Sequence, residues 1–168
     1  MAKIPKMPDL LKIIQFSKPF LKMLTRKARD MHINIIVRTS TNPDGNKFLP
    51  LSKKYKKFKA DKYNSTKANL RASGLMFSHL QPEAPKKTGS TTYMTYAIKG
   101  NAAHERGKLS GEIMNYHQEG AGHNKKRDIA GQTVLHKATQ EELARLIVNQ
   151  IDKNIEKTLA PYVVELKI

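Results

Sequence analysis

The sequence predicts an α+β fold in which a small antiparallel sheet packs with a long C-terminal helix and with an N-terminal helix or kinked helix pair. Two observations support this class: apolar stripes at helical spacing lie near both ends of the chain, and short β-branched or alternating runs lie between them. A length of 168 residues suits one domain. We expect a helical arm at 1–32, a core domain at 33–160 and an apolar tail or strand at 161–168.

The two terminal helices have different start signals. From Pro8 to Met31 apolar residues recur near every third or fourth position. Ser17 is a capping residue and Pro19 divides the segment, so we expect either two consecutive helices or one kinked helix. In the last helix, Thr139 and Glu142 have the spacing of a capping box, which predicts that the helix begins there.

Three strands are predicted between these helices. Ile33–Arg38 is rich in β-branched residues and has the length of a strand. The turn Asn42-Pro43-Asp44-Gly45 follows it, with a proline of fixed φ and a glycine that tolerates positive φ. Leu75–Leu80 and Ser90–Lys99 are the other two strands, and we expect them to pair through the connection from Pro82 to Gly89.

The charge is strongly positive and unevenly distributed. The 31 Lys and Arg residues outnumber the 14 Asp and Glu residues, which gives a formal net charge of +17. Residues 1–136 hold 26 basic and 9 acidic side chains, whereas residues 137–168 hold 5 of each. An acidic partner is therefore expected, and charge alone leaves nucleic acid, an anionic membrane and an acidic protein surface open.

Two lysine-rich segments are candidates for that contact. The segment LPLSKKYKKFKADKY predicts a short basic helix, with Leu51, Tyr55 and Phe58 at core-facing spacing and lysines on the remaining surface. These lysines either bind phosphates, with aromatic residues nearby for stacking, or form a solvated face. The candidate contacts with DNA or an acidic partner are Lys53, Lys54, Lys56, Lys57, Lys125, Lys126 and Arg127.

Several classes of function are disfavoured. The absence of cysteine excludes disulfides, thiol nucleophiles and thiolate metal sites. No apolar run reaches the roughly 20 residues of a bilayer span, and the basic N-terminal segment lacks the features of a cleaved signal. His117 and His123 are the closest histidines in sequence, but they lack metal-ligand spacing. We expect no metal, no cofactor and no membrane partner.

A magnesium nuclease is the enzyme most compatible with so basic a chain. Asp44 and the distant Glu165 with Lys167 match the loose acidic-acidic-lysine pattern of such enzymes, which arises by chance in most chains of this length. The sequence contains no second cluster of carboxylates that would complete a two-metal site. Because no acid, base and nucleophile converge in the sequence, we expect a protein without catalytic activity.

Two series of motifs occur in an order that resembles a known family. The first series is Pro43-Asp44-Gly45, Phe48, Pro50-Leu51, Lys56, Leu70, Ser73-Gly74-Leu75 and Ser78. The second series is Tyr116-His117-Gln118-Glu119-Gly120, Arg127, Ile129 and Gly131. In this order they resemble the phage virion-morphogenesis proteins of the neck, which are called head-tail joining or tail completion proteins. The resemblance covers about residues 33–157.

The resemblance implies a small antiparallel sheet flanked by helices, in subunits that form a ring in the virion neck. It implies portal, adaptor or tail-end proteins as partners, a product made in the host cytoplasm, and DNA that passes through the ring. The motif residues have mechanical interpretations as backbone, loop-tying or interface residues: Gly45, Gly74, His117, Gln118, Gly120, Arg127 and Gly131. The alternative is a cellular protein that binds nucleic acid nonspecifically through its basic helix.

Overall fold

A computed structural model describes residues 9–70, 74–98, 102–104, 107–120, 126–127, 129 and 135–162. The described part has a 3-10 helix at Leu10–Ile14 near its start and a 3-10 turn at Ala160–Tyr162 at its end. The α-helices are α1 at Lys18–Thr39, α2 at Lys53–Tyr63, α3 at Leu75–Ser78, α4 at Ser110–Glu119 and α5 at Lys137–Leu159. The strands are β1 at Leu80–Pro82, β2 at Lys86–Thr88, β3 at Thr91–Tyr93 and β4 at Tyr96–Ile98. The predicted α+β class is confirmed.

The N-terminal segment forms two consecutive helices, which settles the choice that its sequence left open. Ser17 caps α1, because its Oγ accepts a hydrogen bond from the backbone N–H of Phe20 at 3.3 Å. Pro19 lies in the first turn of α1, where a proline is tolerated because its missing N–H has no partner inside the helix. The 3-10 helix packs against α5, where the side-chain amide of Asn154 donates to the carbonyl of Ile13 at 2.9 Å.

The predicted strand Ile33–Arg38 is wrong, because these residues continue α1 to Thr39. Their β-branched side chains favour a strand locally, but spacing decides otherwise. Buried residues recur every fourth position along α1, namely Leu24, Ala28, His32 and Ile36. This stripe gives one helix a continuous core face, so burial outweighs the small helix-propensity cost of the isoleucines. The helix also runs without a break across residue 32, where the sequence suggested the end of an arm.

The second predicted strand, Leu75–Leu80, is also mostly wrong. Residues Leu75–Ser78 form the single turn α3, and strand β1 starts only at Leu80. Gly74 is the N-cap of that turn and has φ of 85°, a left-handed conformation that glycine adopts without steric cost. The third prediction, Ser90–Lys99, divides into β3 and β4. The expected pairing of these two regions is confirmed, since β1 and β4 pair antiparallel with Leu80 opposite Ile98.

The four strands form two nested antiparallel pairs. Inside the β1–β4 pair, β2 and β3 form an exposed hairpin with Lys86 opposite Tyr93. Between the two pairs, Glu83–Pro85 on one side opposes only Met94 and Thr95 on the other. The extra residue on the first side shifts the register by one. Pro85 in that segment has no N–H to donate to the ladder, so the ladder is interrupted there.

Helix α5 begins earlier than its sequence suggested. Its N-cap is His136 and its first residue is Lys137, so the predicted capping box at Thr139 and Glu142 is wrong. Thr139 lies in the first turn and is fully buried, which makes it a packing residue rather than a cap. The helix ends at Leu159, two residues before Pro161, as expected from a residue that cannot continue a helix.

Two apolar clusters form the core. One joins α1 to α5 through Leu24, Ala28 and Leu143. The other joins the second half of α1 to α3 and to the segment after α4, and consists of Ile36, Phe48, Met76, Phe77 and Ile129. Helix α1 contributes to both clusters, so it is the element on which the remaining parts of the domain assemble.

Candidate interaction surfaces

Helix α2 presents most of the lysines that the sequence singled out. It starts after Ser52, whose Oγ accepts a hydrogen bond from the backbone N–H of Tyr55 at 3.3 Å. The four predicted contact residues on this helix are all exposed, namely Lys53, Lys54, Lys56 and Lys57. No salt bridge involves them among the described residues. They form a dense positive surface, which we call the α2 surface.

Aromatic side chains lie beside these lysines. Tyr55 and Phe58 are 42% and 40% exposed, so the prediction that they face the core is wrong. Their rings stack with centroids 5.8 Å apart, and Tyr63 meets Phe58 edge-on at 6.1 Å. The Lys62 ammonium lies 5.8 Å from the Phe58 ring centroid. An exposed aromatic ridge among cations is a combination that suits the backbone and bases of nucleic acid.

The buried position of α2 is Lys59, which sequence reasoning did not single out. Its side chain is 2% exposed, and its Nζ donates to the carbonyl of Lys67 and, at 2.8 Å, to Oδ1 of Asn69. Asn69 in turn donates to the carbonyl of Val37 at 3.0 Å, which ties α2 to α1. Burial, and then the nearby Arg127 guanidinium, lower the pKa of Lys59 to about 8. A lysine in a lysine-rich helix gives no sequence signal for burial.

The second motif series converges in space after α4. His117 and Gln118 lie in the last turn of α4, and both hold the segment that follows it. The backbone N–H of Arg127 donates to the His117 carbonyl at 2.6 Å, and Arg127 Nη1 lies 3.2 Å from His117 Nδ1. Gln118 Oε1 accepts from the backbone N–H of Ile129 at 2.7 Å. We call these four residues the α4 clamp.

The α4 clamp is largely buried. Arg127 is 7% exposed and Ile129 is 2% exposed, so Arg127 does not share the exposed position of the α2 lysines. Burial, and then the Arg127 guanidinium, lower the pKa of His117 to about 4, which keeps its imidazole neutral at physiological pH. Neutral His117 Nδ1 can accept a hydrogen bond from the guanidinium. Lys126 is described and exposed, whereas Lys125 and Gly131 lie outside the described residues.

Three glycines of the motif series adopt left-handed backbone conformations. Gly45, Gly74 and Gly120 have φ of 84°, 85° and 77°. Gly45 closes a turn in which Asn42 Oδ1 accepts from the backbone N–H groups of Asp44 and Asn46. Gly120 ends α4, and a Cβ there would lie 2.8 Å from the backbone nitrogen of Lys126. That approach is too close for any side chain.

The metal and nuclease alternatives gain no support from geometry. Within the described ranges, no three His, Asp or Glu side chains lie close enough together to hold a metal ion. Glu165 and Lys167 of the candidate nuclease set, and His123, lie outside the described residues. No helix in the described part of the chain is long and apolar enough to cross a membrane.

Comparison with known proteins adds no relative. No model of a known protein family matches the chain, and neither a curated protein nor a solved structure shows significant similarity to it. Inferences about function therefore depend on the α2 surface, the α4 clamp and the motif order in the sequence.

Proposed function

We propose that this chain is a structural virion protein of the phage neck, which joins head and tail or completes the tail end. The observation that supports the proposal best is the α4 clamp. His117, Gln118, Arg127 and Ile129 belong to the motif series that resembles the neck family. His117 contacts Arg127 and Gln118 contacts Ile129, although the partners lie ten and eleven positions apart in sequence. Each has a mechanical role, which suits a protein that acts through its interfaces and catalyses no reaction.

The α2 surface supplies the contact with an acidic neighbour in this proposal. Four exposed lysines on one short helix suit many weak contacts with phosphates, which hold DNA without reading its sequence. In a ring of subunits this surface would be repeated around a lumen through which double-stranded DNA passes, or around a rim that meets acidic portal or tail proteins. Lysine suits such contacts because it acts as a mobile point charge.

Affinity capture tests the neck proposal directly. The tagged full-length protein is captured from its native source after exhaustive nuclease treatment, and the proteins that co-purify are identified by mass spectrometry. We expect portal, adaptor or tail-end proteins to remain bound. Recovery of none of them from assembled particles, together with absence of the protein itself from purified virions, would contradict the proposal.

A second candidate function is nonspecific binding of cellular nucleic acid. The exposed rings of Tyr55 and Phe58, with the half-buried Tyr63 beside them, favour it, because exposed rings among lysines stack with unpaired bases. The same capture experiment separates the two functions. Partners that disappear completely on nuclease treatment indicate a nucleic-acid-binding protein, whereas nuclease-resistant portal or tail partners indicate a neck component.

A further inference from the structure

A pocket of about 370 Å³ lies between α1, the end of α3 and β1. Among the described residues, its lining consists of Lys22, Arg26, His79, Gln81, Pro82 and Ala102, and we call it the α1 pocket. Sites for small ligands have volumes of roughly 300–1,000 Å³, so this one is large enough for a small anion with a modest substituent. None of the six lining residues is acidic, and four of them carry hydrogen-bond donors.

Two cations of the α1 pocket lie one helical turn apart. Lys22 and Arg26 are both exposed on α1 and, at this spacing, share one face of the helix. Neither has a salt-bridge partner among the described residues. The acid one turn further along, Asp30, is held by Arg29 at 2.6 Å. The charges of Lys22 and Arg26 are therefore available to a ligand.

The third hydrogen-bond donor of the α1 pocket is His79, whose ring is held by a buried hydroxyl. Nδ1 of His79 lies 2.8 Å from Oγ of Ser110, which is fully buried at the start of α4. If the hydroxyl donates to Nδ1, the ring proton lies on Nε2. The Nε2–H group can then donate a hydrogen bond to an anion in the pocket. An anion in the pocket would select this tautomer.

The fourth donor is also held in place. The side-chain amide of Gln81 donates to the carbonyl of Ser78 at 2.7 Å, and its oxygen accepts from Nη1 of Arg29 at 3.4 Å. These two contacts leave one amide N–H of Gln81 for a ligand. The pocket thus combines two exposed cations on α1 with two donors whose positions are set by neighbouring residues.

We propose that the α1 pocket binds a phosphate group. An arginine fork, an ammonium, an imidazole N–H and an amide N–H together match the several acceptor oxygens and the negative charge of phosphate. The phosphate belongs either to free phosphate or to the backbone of a nucleic acid. This inference does not depend on the neck proposal, because the α1 pocket and the α2 surface share no residue.

Titration with inorganic phosphate, followed by NMR of the full-length protein, tests the pocket. We expect saturable shifts at the lining residues and at the imidazole nitrogens of His79, whose Nε2 becomes the protonated nitrogen. Arg26→Gln should weaken phosphate binding about tenfold, because it removes a charge-assisted pair. Arg38→Gln is the matched control, since Arg38 is an exposed arginine on the same helix outside the pocket.

The outcomes separate a built pocket from general positive charge. Equal weakening by Arg26→Gln and Arg38→Gln, or shifts spread over the basic surface without saturation, would overturn the proposal. Lys22→Gln provides a second variant, for which we expect weaker phosphate binding than for Arg38→Gln. Because both pocket cations are exposed and form no salt bridge among the described residues, neither substitution should change the thermal unfolding midpoint greatly.

A short DNA duplex distinguishes the two sources of phosphate. If the duplex displaces inorganic phosphate from the pocket, and Arg26→Gln weakens duplex binding more than Arg38→Gln does, the ligand is a nucleic-acid backbone. If the duplex binds without displacing phosphate, the ligand is free phosphate. Either result supports the pocket, whereas an absence of shifts at the lining residues with both probes overturns it.

Discussion

His32 lies on the buried face of α1, where its ring centroid is 5.9 Å from those of Tyr96 and His136. Nδ1 of His32 and Nε2 of His136 have no hydrogen-bond partner among the described residues. Burial, and then the nearby His136, lower the pKa of His32 to about 4. A proton on His32 would therefore place a charge in a site without a compensating partner.

We expect the free energy of unfolding to fall as the pH falls from about 6.5 to 4. The folded pKa of His32 lies below its unfolded value of 6.5, so the unfolded chain binds more protons in that window. The contribution of His32 amounts to roughly 3 kcal/mol. Urea denaturation at a series of pH values measures it. In His32→Phe the pH dependence should become shallower, and identical slopes in the two proteins would contradict the assignment.

Gln118 shows how one side chain can hold a separate segment of backbone. Gln118→Leu removes the acceptor for the backbone N–H of Ile129, so we expect the free energy of unfolding to fall by about 1–3 kcal/mol. Hydrogen exchange of the Ile129 amide should become faster. Gln118→Glu keeps an acceptor oxygen and should restore protection of that amide. Equal protection of the Ile129 amide in Gln118→Leu and in the wild type would contradict this role of Gln118.

At the scale of elements, the end of α4 depends on a residue without a side chain. Gly120→Ala should lower the free energy of unfolding by more than about 1 kcal/mol, because φ of 77° and the Lys126 backbone both oppose a Cβ. Gly111→Ala, in the first turn of the same helix, is the control. Apart from the adjoining backbone of its own helix, no described atom lies within 4 Å of a Cβ at Gly111, so stability should be unchanged or slightly higher. Chemical denaturation compares the two, and a similar destabilisation of both variants would contradict this account.

Predictions of whole elements succeeded where a signal was local. Ser17 and Pro19 placed the start of α1, and the lysine-rich segment formed the predicted helix, at Lys53–Tyr63. Predictions of elements were wrong where tertiary packing decided between helix and strand. Ile33–Arg38 has strand propensity, yet the burial of Ile36 beside Met76 and Phe77 keeps it helical.

At the scale of the whole molecule, part of the +17 charge is concentrated on α2, which presents four exposed lysines. Replacement of its four lysines by glutamine should weaken binding of duplex DNA, because fewer phosphates are neutralised and fewer counterions are released. The slope of log affinity against log salt should fall by roughly 0.9 for each phosphate that the variant no longer neutralises. Fluorescence anisotropy across a salt series measures both quantities for K53Q/K54Q/K56Q/K57Q.

A control with the same change in net charge gives this experiment its meaning. Four exposed lysines outside α2 serve for it, in the variant K86Q/K87Q/K153Q/K157Q. We expect the control to retain most of the affinity and most of the salt slope. If the affinity of both quadruple variants falls equally, the α2 surface is not a distinct binding surface, and total charge alone explains the binding.

Part of the α2 surface could be read from the sequence. The exposure of the four α2 lysines follows from their number, since a short helix cannot bury so many ammonium groups. Burial of Lys59 could not be foreseen, because it depends on Lys67 and Asn69, which the chain brings back only after α2 ends. The α1 pocket was missed for the same reason, since its cations and His79 come from elements more than fifty residues apart.

The sequence by itself determined the α+β class, the presence of a helix near each end of the chain, the turn at Gly45 and the basic character of α2. Each of these depends on neighbouring residues and their spacing. Only the tertiary structure decided that α1 absorbs Ile33–Arg38, that the α5 helix starts at Lys137, and that His117 meets Arg127. The physical reason is burial. Which face of an element is removed from water depends on segments that are distant in sequence, and no local pattern records them.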